Sequence, residues 1–85
     1  MKNEELRTQL ESLHDELHHA DPLDLQQREL LKTLADEIQA LLKRDEIQRH
    51  HYTSLSERLN DAVAKLEASH PQATLLMRQT IDSLA

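Results

Sequence analysis

Eighty-five residues make one domain, near the lower end of the size at which a single core sustains itself. Sixteen acidic and ten basic side chains leave a formal net charge of −6, a balance poorly suited to a phosphate backbone or an anionic membrane. The chain has no cysteine and no glycine. Disulfides, thiolate nucleophiles, cysteine-type zinc sites, phosphate-cradling loops and nucleophile elbows are therefore excluded.

Seventeen leucines, with alanine, glutamate, glutamine and arginine, fill the chain with strong helix formers. Strands and hairpins draw on aromatic residues and glycine turns, and Tyr52 is the sole ring of that kind. An all-α fold is expected. The first helix, near 4–20, starts with Asn3 as N-cap and Glu4 and Glu5 in its first turn. Leu6, Leu10, Leu13, Leu17 and Ala20 then repeat at heptad spacing, with charged residues on the other faces. Asp21-Pro22 breaks it, because proline disfavours the α conformation in the residue before it. Asp24 with Gln27 is a capping-box pattern that restarts the chain as a second helix, near 24–45. So short a connection makes the two helices an antiparallel hairpin.

The second helix carries Leu30, Leu31, Leu34, Ile38, Leu41 and Leu42, an apolar face too broad for one neighbour. From Lys43 to Tyr52 charges dominate, and two readings compete. Asp45/Arg49 and Glu46/His50 are i,i+4 pairs able to carry a helix onward, and the 4/3 alternation runs through Asp45, Gln48 and Tyr52 to Leu55, Leu59, Ala62 and Leu66. Against that, two successive seam positions are polar, and Ser54 with Glu57 forms a fresh capping box. A hinge within 45–53 is expected, followed by a third helix near 54–69 on Leu55, Leu59, Val63 and Leu66. Ser69-His70-Pro71 interrupts it, Ser69 as cap and proline in a first turn. A fourth helix, near 71–84, presents Ala73, Leu76, Met77, Thr80, Ile81 and Leu84. It reaches the last residue without a C-cap, so either the natural chain continues a little or the helix frays.

Histidine is the only suggestive chemistry. His14 and His18 lie i,i+4 on one helix face with Glu11 a turn earlier, a spacing at which two imidazoles chelate zinc or nickel. A structural zinc site wants four ligands, and no third is placed here. The pair therefore reads first as half-exposed rings flanking the leucine seam and only second as a metal site. His50-His51 reads as a solvated connector and His70 as a helix-start residue. Carboxylate pairs such as Glu4/Glu5, Asp36/Glu37 and Asp45/Glu46 are what any acidic helical surface shows. Lys43, Arg44 and Arg49 make a basic spot without an aromatic platform for bases. No catalytic residue, cofactor or nucleic-acid partner is expected. The N-terminus lacks the apolar stretch of a signal peptide and no run approaches membrane-spanning length, so a soluble, cytoplasmic protein is expected.

The order of these features resembles a family of short bacterial proteins, the domain of unknown function 4404 family. The residues that carry the resemblance are Glu5-Leu6, Leu10, Leu13-His14-Asp15-Glu16-Leu17, Leu23-Asp24 and Arg28-Glu29-Leu30-Leu31. They continue with Asp36 to Leu42, Leu55-Ser56-Glu57-Arg58-Leu59, Glu67-Ala68-Ser69-His70-Pro71 and Ile81 to Ala85. The Glu-x-Ser-His-Pro block is the most distinctive. The resemblance implies no established activity. It does imply a variable polar connector at 43–53 and a few residues beyond the position of Ala85.

Large apolar side chains make up about a quarter of the chain, and a buried leucine contributes roughly 1.5–3 kcal/mol against roughly 1–2 kcal/mol to order each residue. A lone chain looks marginal on that count, and small helical folds commonly oligomerise. The expectation is a non-enzymatic module of antiparallel helical hairpins with coiled-coil-like leucine seams. Its bundle is completed by self-association, a dimer first, with Leu34, Ile38, Leu41 and Leu42 at or near the interface. The alternative is an adaptor that presents an apolar helix groove to a different protein. A metal-binding protein using His14 and His18 stands third.

Overall fold

The structure, a computed structural model, describes residues 2–44 and 48–84. It contains α1 (Lys2–His19), α2 (Leu25–Leu42), α3 (Arg49–Leu66) and α4 (Pro71–Leu84), with no strand among the described residues. α1 starts at Lys2, so Asn3 lies in the first turn and not at the cap. It stops at His19, two residues ahead of the Asp21-Pro22 break. Asp24 is the N-cap of α2 in extended conformation, and its carboxylate accepts the Gln27 N–H at 2.8 Å. The return arm of this box reaches one residue further back than expected: the Gln27 side-chain oxygen accepts the Leu23 N–H at 3.0 Å.

The third helix differs from the expected 54–69. It begins at Arg49, with Ser54 already in its second turn. The reason is a cap made by an imidazole: His51 Nδ1 accepts the N–H of Gln48, the N-cap residue, at 3.2 Å. A ring nitrogen three residues into the helix thus does what Ser54 and Glu57 were expected to do later. The break lies between Leu42 and Arg49, and Asp45, Glu46 and Ile47, part of the expected hinge, fall outside the described residues. α4 opens on Pro71, a first-turn position where the missing N–H costs nothing. Its first backbone bond runs from Thr74 N–H to His70 O at 3.1 Å, which makes His70 and not Ser69 the residue at the helix boundary.

The four helices form an up-down-up-down bundle. α1 packs on α2 and α4, and α3 on α2 and α4, with no diagonal pair among the described residues. Leu6, Leu10, Leu13 and Leu17 face Leu31, Leu34, Ile38 and Leu41, and Leu55, Leu59, Ala62, Leu66, Ala73 and Met77 complete the core. The α1 seam is the one its spacing indicates. In α3 the fully buried place goes to Ala62, while Val63 is half-buried; in α4 Thr74 enters the core and Leu76 sits at its margin. Thr74 and Thr80 bring hydroxyls inside, and each donates within its own helix, to Pro71 O at 3.0 Å and Leu76 O at 2.8 Å.

The broad face of α2 is met inside one chain. Because α2 stands between α1 and α3, Leu31, Leu34, Ile38 and Leu41 are buried while Leu30 and Leu42 pack half-buried against the same core. The radius of gyration is 12.0 Å, and a compact globule of this length is expected at about 12 Å. The far end of α2 has no glycine to turn the chain left-handed, the usual device for satisfying terminal carbonyls. Arg7 of α1 supplies donors instead: its guanidinium bonds Leu42 O at 2.9 Å and also Arg44 O. A cation at a helix C-terminus is favourable to the dipole as well.

Candidate functional site

His14 and His18 project from α1 into a cleft of about 480 Å³ between α1 and α2. Across from them stand Arg28, Lys32 and Asp36, one helical turn apart along α2, over a floor of Leu17, Leu31 and Ala35. His14 is half-buried and His18 exposed. Among the described residues no group of three or more histidine, cysteine, aspartate or glutamate side chains is placed to hold a metal ion. The i,i+4 histidine pair therefore lines one cleft with Arg28, Lys32 and Asp36.

The neighbouring His19 is tied differently. Its Nδ1 lies 2.8 Å from Asp15 O, and since a carbonyl only accepts, Nδ1 carries the proton.

A second polar cluster joins the two loops at the same end of the bundle. Leu23 N–H donates to the Gln27 side-chain oxygen, and Gln27 Nε2 donates to Ser69 Oγ at 3.0 Å. Ser69 Oγ lies 2.9 Å from His70 Nδ1, and His70 Nε2 lies 2.7 Å from Asp21 O. The carbonyl requires the proton on Nε2, so Nδ1 of the neutral ring accepts from the serine hydroxyl. Serine, imidazole and a fixed second nitrogen resemble an activated nucleophile. Here, however, the Gln27 amide occupies the serine oxygen and the ring bridges two loops, so the arrangement works as a clamp. Chain separation hid it: Gln27 and Ser69 are 42 residues apart, His70 and Asp21 49. The only sequence signal was the distinctive Ser-His-Pro block.

At the other end His50 and His51 place their rings 4.0 Å apart. Desolvation, then the neighbouring charge of His50, then that of Arg44, hold His51 below the ordinary histidine value of 6.5. That direction agrees with its role, because only an unprotonated Nδ1 accepts the Gln48 N–H.

Of the expected interface residues, Leu34, Ile38 and Leu41 lie in the core and Leu42 half-buried beside it. Among the described residues the large apolar side chains left outside are Leu23, Leu25 and Leu75. No helix among the described residues is long and apolar enough to cross a membrane.

Four antiparallel helices around a leucine core, closed by a loop clamp and lacking strands among the described residues, define a small all-α bundle protein. A family model described as Domain of unknown function (DUF4404) matches residues 6–85, and the chain belongs to this family. No curated protein matches it. No solved structure matches it either.

Proposed function

We propose that the chain is a non-enzymatic helical interaction module that associates with itself. The observation that carries this is the apolar surface left once the bundle has closed. Leu23 and Leu25 are 73% and 67% exposed at the α1–α2 corner, on either side of the capping Asp24. The absence of glycine, and with it of phosphate loops and nucleophile elbows, supports the non-enzymatic half. In this reading the contact between copies lies at Leu23 and Leu25, and Leu34, Ile38 and Leu41 stay in the core.

A symmetric pair of copies buries four leucines at this corner. At roughly 1.5–3 kcal/mol each, the gross gain is about 6–12 kcal/mol, against about 4–15 kcal/mol for lost freedom on association. The dimer is therefore weak. Analytical ultracentrifugation from about 10 µM to about 1 mM should show the weight-average mass rising above the 9.9 kDa of one chain. The double substitution Leu23→Gln with Leu25→Gln should hold it there without lowering the melting temperature. A constant monomer mass over that range sinks the self-association.

An adaptor role has its own observation. α2 and α3 approach each other least closely of the four neighbouring pairs. Half-buried Leu30 lines the groove they leave, with Thr33, Glu29 and Lys65 on one stretch and Glu57 and Arg58 on the next. A partner helix laid there is the helix-in-groove mode. A stoichiometric foreign protein captured from native extract, and lost with Leu30→Glu, would favour this reading.

A further inference from the structure

The α1–α2 cleft has a charge arrangement that neither the bundle nor the proposed self-association uses. The chain carries a formal charge of −6, and three of its cations sit in ion pairs among the described residues. Arg58 pairs with Glu37 at 3.2 Å, Lys65 with Asp61 at 3.0 Å and Arg78 with Glu67 at 2.8 Å. Arg28 and Lys32 make no ion pair among the described residues, although both line the cleft together with Asp36. Opposite them are the imidazoles of His14 and His18, and beneath lie Leu17, Leu31 and Ala35.

We infer that this cleft binds a small organic oxyanion, a phosphate monoester or carboxylate carried on a compact apolar body. Guanidinium presents a planar fork that matches the paired oxygens of either group, and the ammonium one turn on adds a point charge. The histidine rings offer N–H donors from the facing helix. The body of the ligand lies along half-buried Ala35 and the exposed edges of Leu17 and Leu31 in this open cleft. Charge along α2 runs Arg28, Lys32, Asp36, so it also sets the direction of binding. The oxyanion lies at the Arg28 end, towards the α1–α2 loop, and the apolar body points towards Ala35, away from repulsion by Asp36 on the oxyanion.

The test is an amide NMR titration of the full chain in phosphate-free buffer with phenyl phosphate, inorganic phosphate and benzyl alcohol. Phenyl phosphate should move the amides of 14–20 and 28–36 saturably. Inorganic phosphate should move the Arg28 end of the same set at higher concentration, and the neutral alcohol should leave it unmoved. Arg28→Gln with Lys32→Gln should weaken phenyl phosphate roughly tenfold or more while amide dispersion and melting temperature stay as they are. Arg49→Gln, on the exposed start of α3, should leave binding unchanged. The inference is overturned by equal binding of the alcohol or by shifts spread over every basic side chain. Undiminished affinity in the double variant, or no saturable shift below about 10 mM, overturns it equally.

Discussion

Replacing Arg7 with methionine tests the claim that α1 closes the C-terminus of α2. The substitution keeps the apolar stem that lies along the seam and removes the guanidinium, which donates to Leu42 O at 2.9 Å and to Arg44 O. A hydrogen bond to a charged group contributes roughly 1.5–3 kcal/mol when well buried. These two are part-buried and exposed, so about 0.5–1 kcal/mol each is the fitting figure after screening. The favourable placement at the negative end of the helix dipole adds about 0.3–1 kcal/mol. The sum is about 1–3 kcal/mol. Unfolding entropy near 2.1 cal/mol/K per residue makes each kcal/mol worth about 6 °C in a chain of this length. A fall in melting temperature of about 6–17 °C is expected by circular dichroism. Arg78→Met, which breaks an ion pair whose two side chains are 52% and 60% exposed, serves as the surface control and should cost no more than about 1 kcal/mol. A loss for Arg7→Met no larger than for Arg78→Met would refute the capping argument.

His70→Ala should release both loops at one end. Hydrogen exchange at 21–25 and 67–74 is expected to accelerate, with a stability loss of about 1–2 kcal/mol by urea denaturation; unchanged exchange at 21–25 would mean the ring does not bridge. Ile38→Ala creates a cavity at a fully buried site and should cost about 2–5 kcal/mol. That shift should be the same at low and high protein concentration, because the residue packs within its own chain; a concentration-dependent shift would place it between copies. The cap at the start of α3 should be lost in acid. His51 in the folded chain lies below its ordinary value of 6.5, so the unfolded chain binds the proton first and stability falls as pH falls. Its contribution is fully present above about 6.5 and is lost as pH drops from there through the folded value. Protection factors at Gln48 to Tyr52, which correct for the intrinsic slowing of exchange in acid, should fall on acidification between about pH 8 and pH 5. His51→Gln should abolish the pH response, and a response unaltered in that variant would assign it elsewhere.

What the sequence by itself determined is local. Heptad spacing placed Leu6, Leu10, Leu13 and Leu17 on one stripe, and they are the buried residues of α1. Proline at 22 and 71 and the Asp24–Gln27 cap marked helix boundaries within a residue or two, because each acts on the backbone within one turn. His14 and His18 shared a face for the same reason, and they do line one cleft. The start of α3 was misplaced because an imidazole capping through Nδ1 is not a pattern that serine and glutamate spacing reveals. Only the tertiary structure decided the rest. Arg7 reaches carbonyls 35 and 37 residues away, and His70 one 49 residues away; periodicity carries no information on such pairs. The face of α2 told the same story. Its breadth correctly demanded two neighbours, yet residue spacing is equally satisfied by a second chain or by α1 and α3. Connectivity and packing around one core chose α1 and α3, which moved Leu34, Ile38 and Leu41 inside and left Leu23 and Leu25 as the leucines facing outward at the corner.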